Sequence, residues 1–243
     1  MGKPGSGFLV LGLLLLAGAA AADSVTVALD PGLTQLTAAV TDEIATGAEM
    51  AGMHVTAVFG DGSAETIVWT ATGSEAGAAL GTNWSLSQNG DTGSLAFFPA
   101  LSGPWILTNN TGQSITRLLI DTGPDNAAFD TTTAAAGTPG SGLGQSFAVI
   151  PFLSSTGLDI AATYRDAVAL FGSDPVGDLF RVLELTFTNA GGFATGMTLA
   201  FLADTDQVAG PLQPIPEPTS LLLLGTGLLL GGWVLRRRQV LQL

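Results

Sequence analysis

The sequence predicts an all-β fold, a single β-sandwich of the jelly-roll-like or immunoglobulin-like kind, over residues 23–206. Short runs of alternating apolar and polar residues recur along this stretch, separated by clusters of Gly, Pro, Asn and Asp. No long amphipathic helix, no alternation of strands with helices and no repeat of fixed period is visible. The stretch is long enough to bury a full core. The chain has no cysteine, so this core must suffice without disulfides.

The N-terminal half of this stretch gives the clearest local signals. Residues 25–29 alternate and predict a first strand that ends at the turn-forming sequence Asp30-Pro31-Gly32. Residues 53–59 and 64–71 predict two strands joined by the Gly-Asp-Gly-Ser turn at 60–63, which together form a β-hairpin. Between these signals, residues 42–53 fit either a short helix or a loop.

The rest of the stretch continues the pattern of strand and turn. Residues 161–171 fit either a strand or a helix, and the Thr/Gly/Ala-rich residues 127–144 fit a long loop or a weak strand pair. After Asp206 the composition changes to a Pro-rich, semi-extended linker over residues 207–215. Further strands are predicted at residues 84–88, 105–108, 115–121, 147–150, 179–189 and 198–203.

The stretch between the two ends of the chain is strongly acidic. Residues 23–215 carry 19 acidic and three basic residues, a net charge of −16, whereas the whole chain has −13. This charge argues against nucleic-acid binding, which needs a basic face. It suits solubility outside the cell and is compatible with divalent cations.

The first 22 residues have the organisation of a secretory signal peptide. Lys3 gives a basic start, residues 8–17 form a short apolar core, and residues 18–22 are all small. Ala20 and Ala22 fit the A-x-A pattern of signal-peptidase cleavage, which predicts Asp23 as the mature N-terminus.

The C-terminal region predicts a membrane span. Residues 219–235 are uncharged and, as a helix, would reach about 25 Å, the short limit for crossing a bilayer. Trp233 stands where an interfacial aromatic belongs, and Arg236, Arg237 and Arg238 follow. Because arginines beside a span stay in the cytoplasm, residues 239–243 are predicted to be a cytoplasmic tail and the sandwich to lie outside.

A proline-rich strip stands directly before this span. Pro216, Glu217 and Pro218 cannot continue a helix and are expected to be extended at the membrane face. Together with the apolar helix and the basic cluster, residues 216–238 resemble the PEP-CTERM protein-sorting signal. The resemblance implies a Gram-negative or similar bacterium, export through the Sec translocon, processing by the membrane peptidase exosortase, and an association with exopolysaccharide and biofilm.

A second resemblance covers most of residues 48–206. The segments GMHVTAVFGDGSAETIVWTATG, GTNWSLSQNGDT, WILTN and FLADTD are similar to β-sandwich ectodomains of PEP-CTERM proteins whose function is unassigned. This resemblance implies a fold class and no chemistry.

No catalytic residue is predicted, and the protein is not expected to be an enzyme. His54 is the only histidine, which excludes a histidine metal cluster, and strand alternation puts it on the face of Thr56, expected to be the solvent face. The chain has no G-x-S-x-G nucleophile motif. Its acids are too numerous and too often in turns to single out a pair for glycoside hydrolysis.

Calcium is the one cofactor hypothesis that the sequence offers. Two stretches of sequence predict oxygen-rich loops suited to Ca²⁺. One contains Asp204 and Asp206, and the other contains Asp121 and Asp125. Neither stretch matches the EF-hand pattern, and turn-forming aspartates explain both more simply.

Tryptophans offer a parallel hypothesis of carbohydrate binding. Trp69, Trp84 and Trp105 fit either sugar-stacking positions or the core, and Trp69 is the most core-like of the three.

These observations favour an exported protein of the cell surface or extracellular matrix, structural or adhesive in role. Its expected route runs through the inner membrane, with the C-terminus cytoplasmic and the sandwich periplasmic, and its expected partner outside is polysaccharide. The alternative is a secreted carbohydrate-active hydrolase or a carbohydrate-binding module.

Overall fold

The fold was analysed in a computed structural model that describes residues 24–30, 32–97, 101–132 and 137–210. The predicted signal peptide, the predicted span and the segment that resembles a sorting signal lie outside these ranges. Within them, no helix is long and apolar enough to cross a membrane.

The described ranges are built almost entirely from β-strands, as the sequence predicts. Apart from a single 3₁₀ turn at Pro151–Leu153, the regular elements are sixteen strands. In chain order they are β1 (Ser24–Asp30), β2 (Gln35–Thr37), β3 (Val40–Asp42), β4 (His54–Phe59), β5 (Ala64–Val68), β6 (Thr70–Ala71), β7 (Ala76–Leu80), β8 (Trp84–Asn89), β9 (Trp105–Asn109), β10 (Ile115–Asp121), β11 (Ala127–Asp130), β12 (Ala148–Val149), β13 (Asp159–Leu170), β14 (Leu179–Phe187), β15 (Thr198–Leu202) and β16 (Asp204–Val208).

The strands form two sheets. The main sheet has ten strands with β14 in its middle: β13 pairs along one edge of β14, and β10 and β11 pair with successive parts of the other edge. From β10 the main sheet continues through β4 to β5, and from β11 through β16 to β3. The second sheet has the order β12-β15-β9-β8-β7-β6.

Two strands of the main sheet pair in a way that the sequence patterns do not reveal. β1 and β2 both run parallel to β13, along successive parts of the same long strand. Parallel neighbours need a long connection between them, and here most of the domain lies between β2 and β13 in the chain. The remaining pairings are antiparallel.

The two sheets enclose one main core that is rich in aromatic rings. Measured between ring centroids, Trp105 of the second sheet lies 5.4 Å from Trp69 and 6.0 Å from Phe201 of its own sheet. It lies 6.2 Å from Phe129, which belongs to the main sheet. Phe129 in turn contacts Tyr164, whose hydroxyl accepts the Phe147 N–H at 2.7 Å. A domain without disulfides is therefore stabilised by contact between large rings across the layers.

The model resolves the segments that the sequence left open. The predicted hairpin is confirmed as β4 and β5, and residues 161–171 belong to a strand, β13. Between β3 and β4 the chain forms turns and no helix, and residues 127–144 contribute the short strand β11 and then loop.

A single carboxylate joins the two sheets at one edge. Glu65 on β5 accepts hydrogen bonds from the backbone N–H of Thr82 at 3.0 Å, from the Thr82 hydroxyl at 2.9 Å and from the indole N–H of Trp84 at 2.6 Å. Burial tends to raise the pKa of Glu65, but the bonds from Trp84 and Thr82 outweigh burial and lower it below its ordinary value.

We expect Glu65→Ala to destabilise the domain by about 1–3 kcal/mol, because it leaves the Trp84 and Thr82 donors without their charged acceptor. Since the folded pKa of Glu65 is depressed, its contribution is present above the unfolded pKa and is lost as the pH falls through the folded pKa. Urea unfolding of wild type and variant at pH 7 and at pH 3 measures this difference. A difference that stays the same at both pH values would contradict the assignment.

Candidate functional site

A cluster of three aspartates is created by the pairing of β11 with β16. In this antiparallel register Asp130 stands opposite Asp204, and Ala128 stands opposite Asp206. Because side chains alternate along a strand, these residues share one face, and Phe129 points to the other face, into the main core. The register that buries Phe129 therefore brings the three carboxylates together.

The acidic cluster, defined as Asp130, Asp204 and Asp206, is both tight and buried. One carboxylate oxygen of each residue lies within 4.8 Å of the others. The exposed fractions are 0%, 4% and 1%, respectively. Two full negative charges at this distance repel by about 3–4 kcal/mol at an effective dielectric constant of about 20.

Hydrogen bonds hold part of the cluster and leave the rest without partners. Asp130 Oδ1 accepts the Thr132 N–H at 2.8 Å, and Asp204 Oδ1 accepts the Thr205 N–H at 2.9 Å and the Thr92 hydroxyl at 3.1 Å. The Oδ2 atoms of Asp130 and Asp206 are buried and have no hydrogen-bond partner. Two orphaned acceptors within one buried cluster are costly unless a proton or a cation compensates them.

The surroundings of the cluster disfavour its charged form. Burial is the largest cause, and it raises the pKa of Asp130 to about 6, that of Asp204 to about 7 and that of Asp206 to about 9. Neighbouring carboxylates add to the effect. For Asp206 the largest of these causes are Asp130 and Asp204, followed by Asp178 and Glu43. Asp178 acts on Asp130, and Asp91 and Asp130 act on Asp204.

The outer side of the cluster is covered by residues 137–144, here called the roof loop. A Cβ atom at Gly144 would lie 2.4 Å from the carboxyl carbon of Asp130, so only glycine allows this approach. Gly93, from another loop, is similarly close to Asp204, at 2.7 Å. The glycines thus let two segments of backbone press against the carboxylates.

Asp178 holds the roof loop in place. Unlike the cluster, it has hydrogen-bond donors for both of its carboxylate oxygens. Its carboxylate accepts the N–H and the hydroxyl of Thr138 and the hydroxyl of Ser141. Asp178 is therefore a buried aspartate with a complete set of donors, as expected of a structural residue.

A cavity of about 670 Å³ opens beside the cluster. Asp204 lies in its wall together with Glu43, Asp91 and residues of the roof loop. The cavity thus has an acidic lining that includes one member of the cluster.

The fold brings together two of the predicted metal ligands, but in a setting that differs from the predicted one. Asp204 and Asp206 do lie close to each other, but they belong to strand β16 and not to an oxygen-rich loop. The third member, Asp130, was missed because it lies in a Thr/Gly/Ala-rich segment without clear periodicity. The only local signal for it is the short apolar run Ala127-Ala128-Phe129 that precedes it.

The second predicted calcium stretch has a different electrostatic setting from the acidic cluster, and calcium binding there stays a prediction. Asp121 and Asp125 lie near the buried guanidinium of Arg181. Burial lowers the pKa of Arg181, whereas the two aspartates raise it. The Arg181 side chain donates to the backbone carbonyls of Asp125 and Ala127. A buried positive charge repels a second cation, so Arg181 already neutralises this stretch.

The three tryptophans within the described ranges are core residues and offer no stacking face to a sugar. Trp69, Trp84 and Trp105 are at most 2% exposed. Their indole N–H groups donate to Gly47 O at 2.7 Å, to Glu65 and to Ala203 O at 2.9 Å. His54 on β4 is half-buried beside the fully buried Val55, so it points away from the core.

The other predicted site residues lie outside the described ranges. They are the cleavage-site residues Ala20 and Ala22, the strip Pro216, Glu217 and Pro218, and the basic cluster Arg236, Arg237 and Arg238.

We expect Asp178→Ala to release the roof loop, because Thr138 and Ser141 lose their common acceptor. The variant should lose about 2–3 kcal/mol of stability and should be cut faster by protease within residues 137–144. Urea unfolding and limited proteolysis with mass mapping measure both effects. Asp174→Ala, in the exposed hairpin between β13 and β14, is the control, and equal cleavage in the two variants would contradict the role of Asp178.

Comparison with known proteins adds one finding. The family model of the PEP-CTERM protein-sorting motif matches residues 214–238. Searches of curated proteins and of solved structures return no significant match. The match covers the Pro-Glu-Pro strip, the apolar segment and the arginine cluster, so the chain carries a PEP-CTERM protein-sorting motif at residues 214–238.

Proposed function

We propose that this protein is a structural or adhesive component of the extracellular matrix, delivered as an acidic β-sandwich. The observation that carries the proposal is the sorting motif at residues 214–238, which marks an exported surface protein that an exosortase sorts. The motif identifies a route and a destination in the cell envelope. A structural or adhesive role in the matrix is the simplest function for a domain that is delivered to the cell envelope.

The route that we propose follows from the two ends of the chain. The Sec translocon exports the protein, signal peptidase cuts after Ala22, and the segment 219–235 holds the protein in the inner membrane with the arginines in the cytoplasm. Exosortase then acts at the strip Pro216-Glu217-Pro218. The sandwich ends at the cell surface or in the matrix, where polysaccharide is its proposed partner.

Two properties of the sandwich support the matrix role, namely a stable core without disulfides and a high negative charge. Its core is made of aromatic rings in contact and uses no disulfide, so it does not depend on the redox state outside the cell. The net charge of −16 over residues 23–215 keeps the domain soluble and favours contact with cations in the matrix.

A secreted hydrolase is the second candidate, and one observation favours it. Three acidic residues, Glu43, Asp91 and Asp204, line a single cavity, and glycoside hydrolysis uses two carboxylates that face one cleft. Against it, one carboxylate oxygen of Asp91 and one of Asp204 are already held by hydrogen bonds from Gly93 and Thr92, respectively. We therefore propose that the protein is not an enzyme.

The sorting step predicts a change of size and place that depends on exosortase. With a tag inserted in the exposed loop between β13 and β14, the double variant Pro216→Ala, Glu217→Ala should accumulate as an unprocessed, membrane-bound form. Fractionation and immunoblotting of cells with and without exosortase measure this. The control is Pro214→Ala, just outside the Pro-Glu-Pro strip. Unchanged size and location in the double variant would show that the tail is a plain anchor.

The matrix role predicts binding to polysaccharide without cleavage. The purified protein should sediment with polysaccharide isolated from the matrix and leave its chain length unchanged. Release of reducing ends that stops in Glu43→Gln would instead support the hydrolase, and no sedimentation above the level of an unrelated acidic protein would contradict adhesion.

A further inference from the structure

We propose that the acidic cluster is a binding site for a divalent cation, with Ca²⁺ as the cation that its chemistry fits best. Asp130, Asp204 and Asp206 supply the protein ligands. The proposal does not depend on the matrix role, because it rests on the geometry of these three side chains alone.

The spacing of the carboxylates fits a single ion. Calcium binds oxygen ligands at about 2.3–2.6 Å, so two ligands on opposite sides of the ion are at most about 5 Å apart. The three oxygen atoms of the cluster lie within 4.8 Å of one another. One ion can therefore contact all three without moving the strands.

Two buried acceptors are free to bind it. Asp130 Oδ2 and Asp206 Oδ2 have no hydrogen-bond partner, in residues that are 0% and 1% exposed. Asp130 and Asp204 are held through their other oxygen, Oδ1, by the N–H groups of Thr132 and Thr205. This pattern fixes the orientation of a carboxylate and leaves its second oxygen for a ligand.

Among the described residues, no basic side chain serves as the counter-charge. Arg117 and Arg165 pair with the buried Glu184, at 3.8 Å and 3.1 Å, and Arg181 lies beside Asp121 and Asp125. The charged groups that act on the cluster from the elements packed around it are acids: Glu43, Asp91 and Asp178. A divalent cation supplies the positive charge that the chain itself does not provide there.

An acidic cavity gives a cation access to the cluster. The cavity beside the cluster is lined by Glu43, Asp91 and Asp204, which attract a cation from solvent. All the candidate ligands are oxygen atoms, and the chain has no cysteine, so hard cations are favoured over softer transition metals.

Thermal unfolding of the full-length protein in detergent tests the proposal. After removal of metals with a chelator, about 10 mM CaCl₂ should raise the melting temperature by about 5 °C or more, compared with NaCl of the same ionic strength. Asp206→Asn and Asp130→Asn should each lose most of this rise. In chelator the same variants should melt at the wild-type temperature or above it, because a buried amide is neutral without having to take up a proton.

Asp125→Asn is the matched control. Asp125 also has an unpartnered buried oxygen, Oδ2, but it lies beside Arg181 and outside the cluster. Its response to CaCl₂ should equal that of wild type. No rise in wild type, or a rise that persists in both cluster variants, would overturn the proposal.

Terbium luminescence gives a second readout that needs no variant to fold. The indole of Trp105 donates to the carbonyl of Ala203, the residue before Asp204, so it lies near the site. Tb³⁺ bound there should emit when the tryptophans are excited, and CaCl₂ should displace it. Absence of sensitised emission from the wild-type protein would count against the site.

Discussion

The register of β11 against β16 is the constraint on which the site depends. It sets Asp130 opposite Asp204 and leaves Asp206 on the same face, where like charges across a strand pair are unfavourable. A slip by one residue would relieve the repulsion, but it would also turn Phe129 out of the aromatic core. Packing between the sheets therefore holds the carboxylates together against their own repulsion.

The protein treats its buried charges in different ways. Glu184 faces two arginines, Asp178 has donors from the roof loop, and Arg181 lies near Asp121 and Asp125. In each case the chain places an opposite charge or hydrogen-bond donors close by, even where single buried atoms such as Asp125 Oδ2 and Glu184 Oε2 lack a hydrogen-bond partner. The acidic cluster departs from this rule, and that departure distinguishes a ligand site from ordinary buried polar structure.

The sequence predicted most of the longer strands and the site only in part. It missed β2, β3, β7 and β16, and it assigned the last two residues of β16 to the linker. Alternation and turn residues are local signals, and they placed the β4–β5 hairpin and strands such as β10 close to their observed bounds. Asp204 and Asp206 were found for the same reason, since they are neighbours in the chain. Asp130 reaches them through strand pairing, and Arg181 reaches Asp121 and Asp125 through packing. These contacts between residues distant in the chain leave no local pattern in the sequence. The same holds for the parallel pairing of β1 with β13.

The acidic cluster is proposed to hold a cation among Asp130, Asp204 and Asp206. Diffraction from crystals grown with CaCl₂, with an anomalous difference map, tests it most directly. The account predicts a peak at about 2.3–2.6 Å from a carboxylate oxygen of each residue. A well-ordered map without a peak, in which these carboxyl groups share protons in hydrogen bonds to one another, would contradict it.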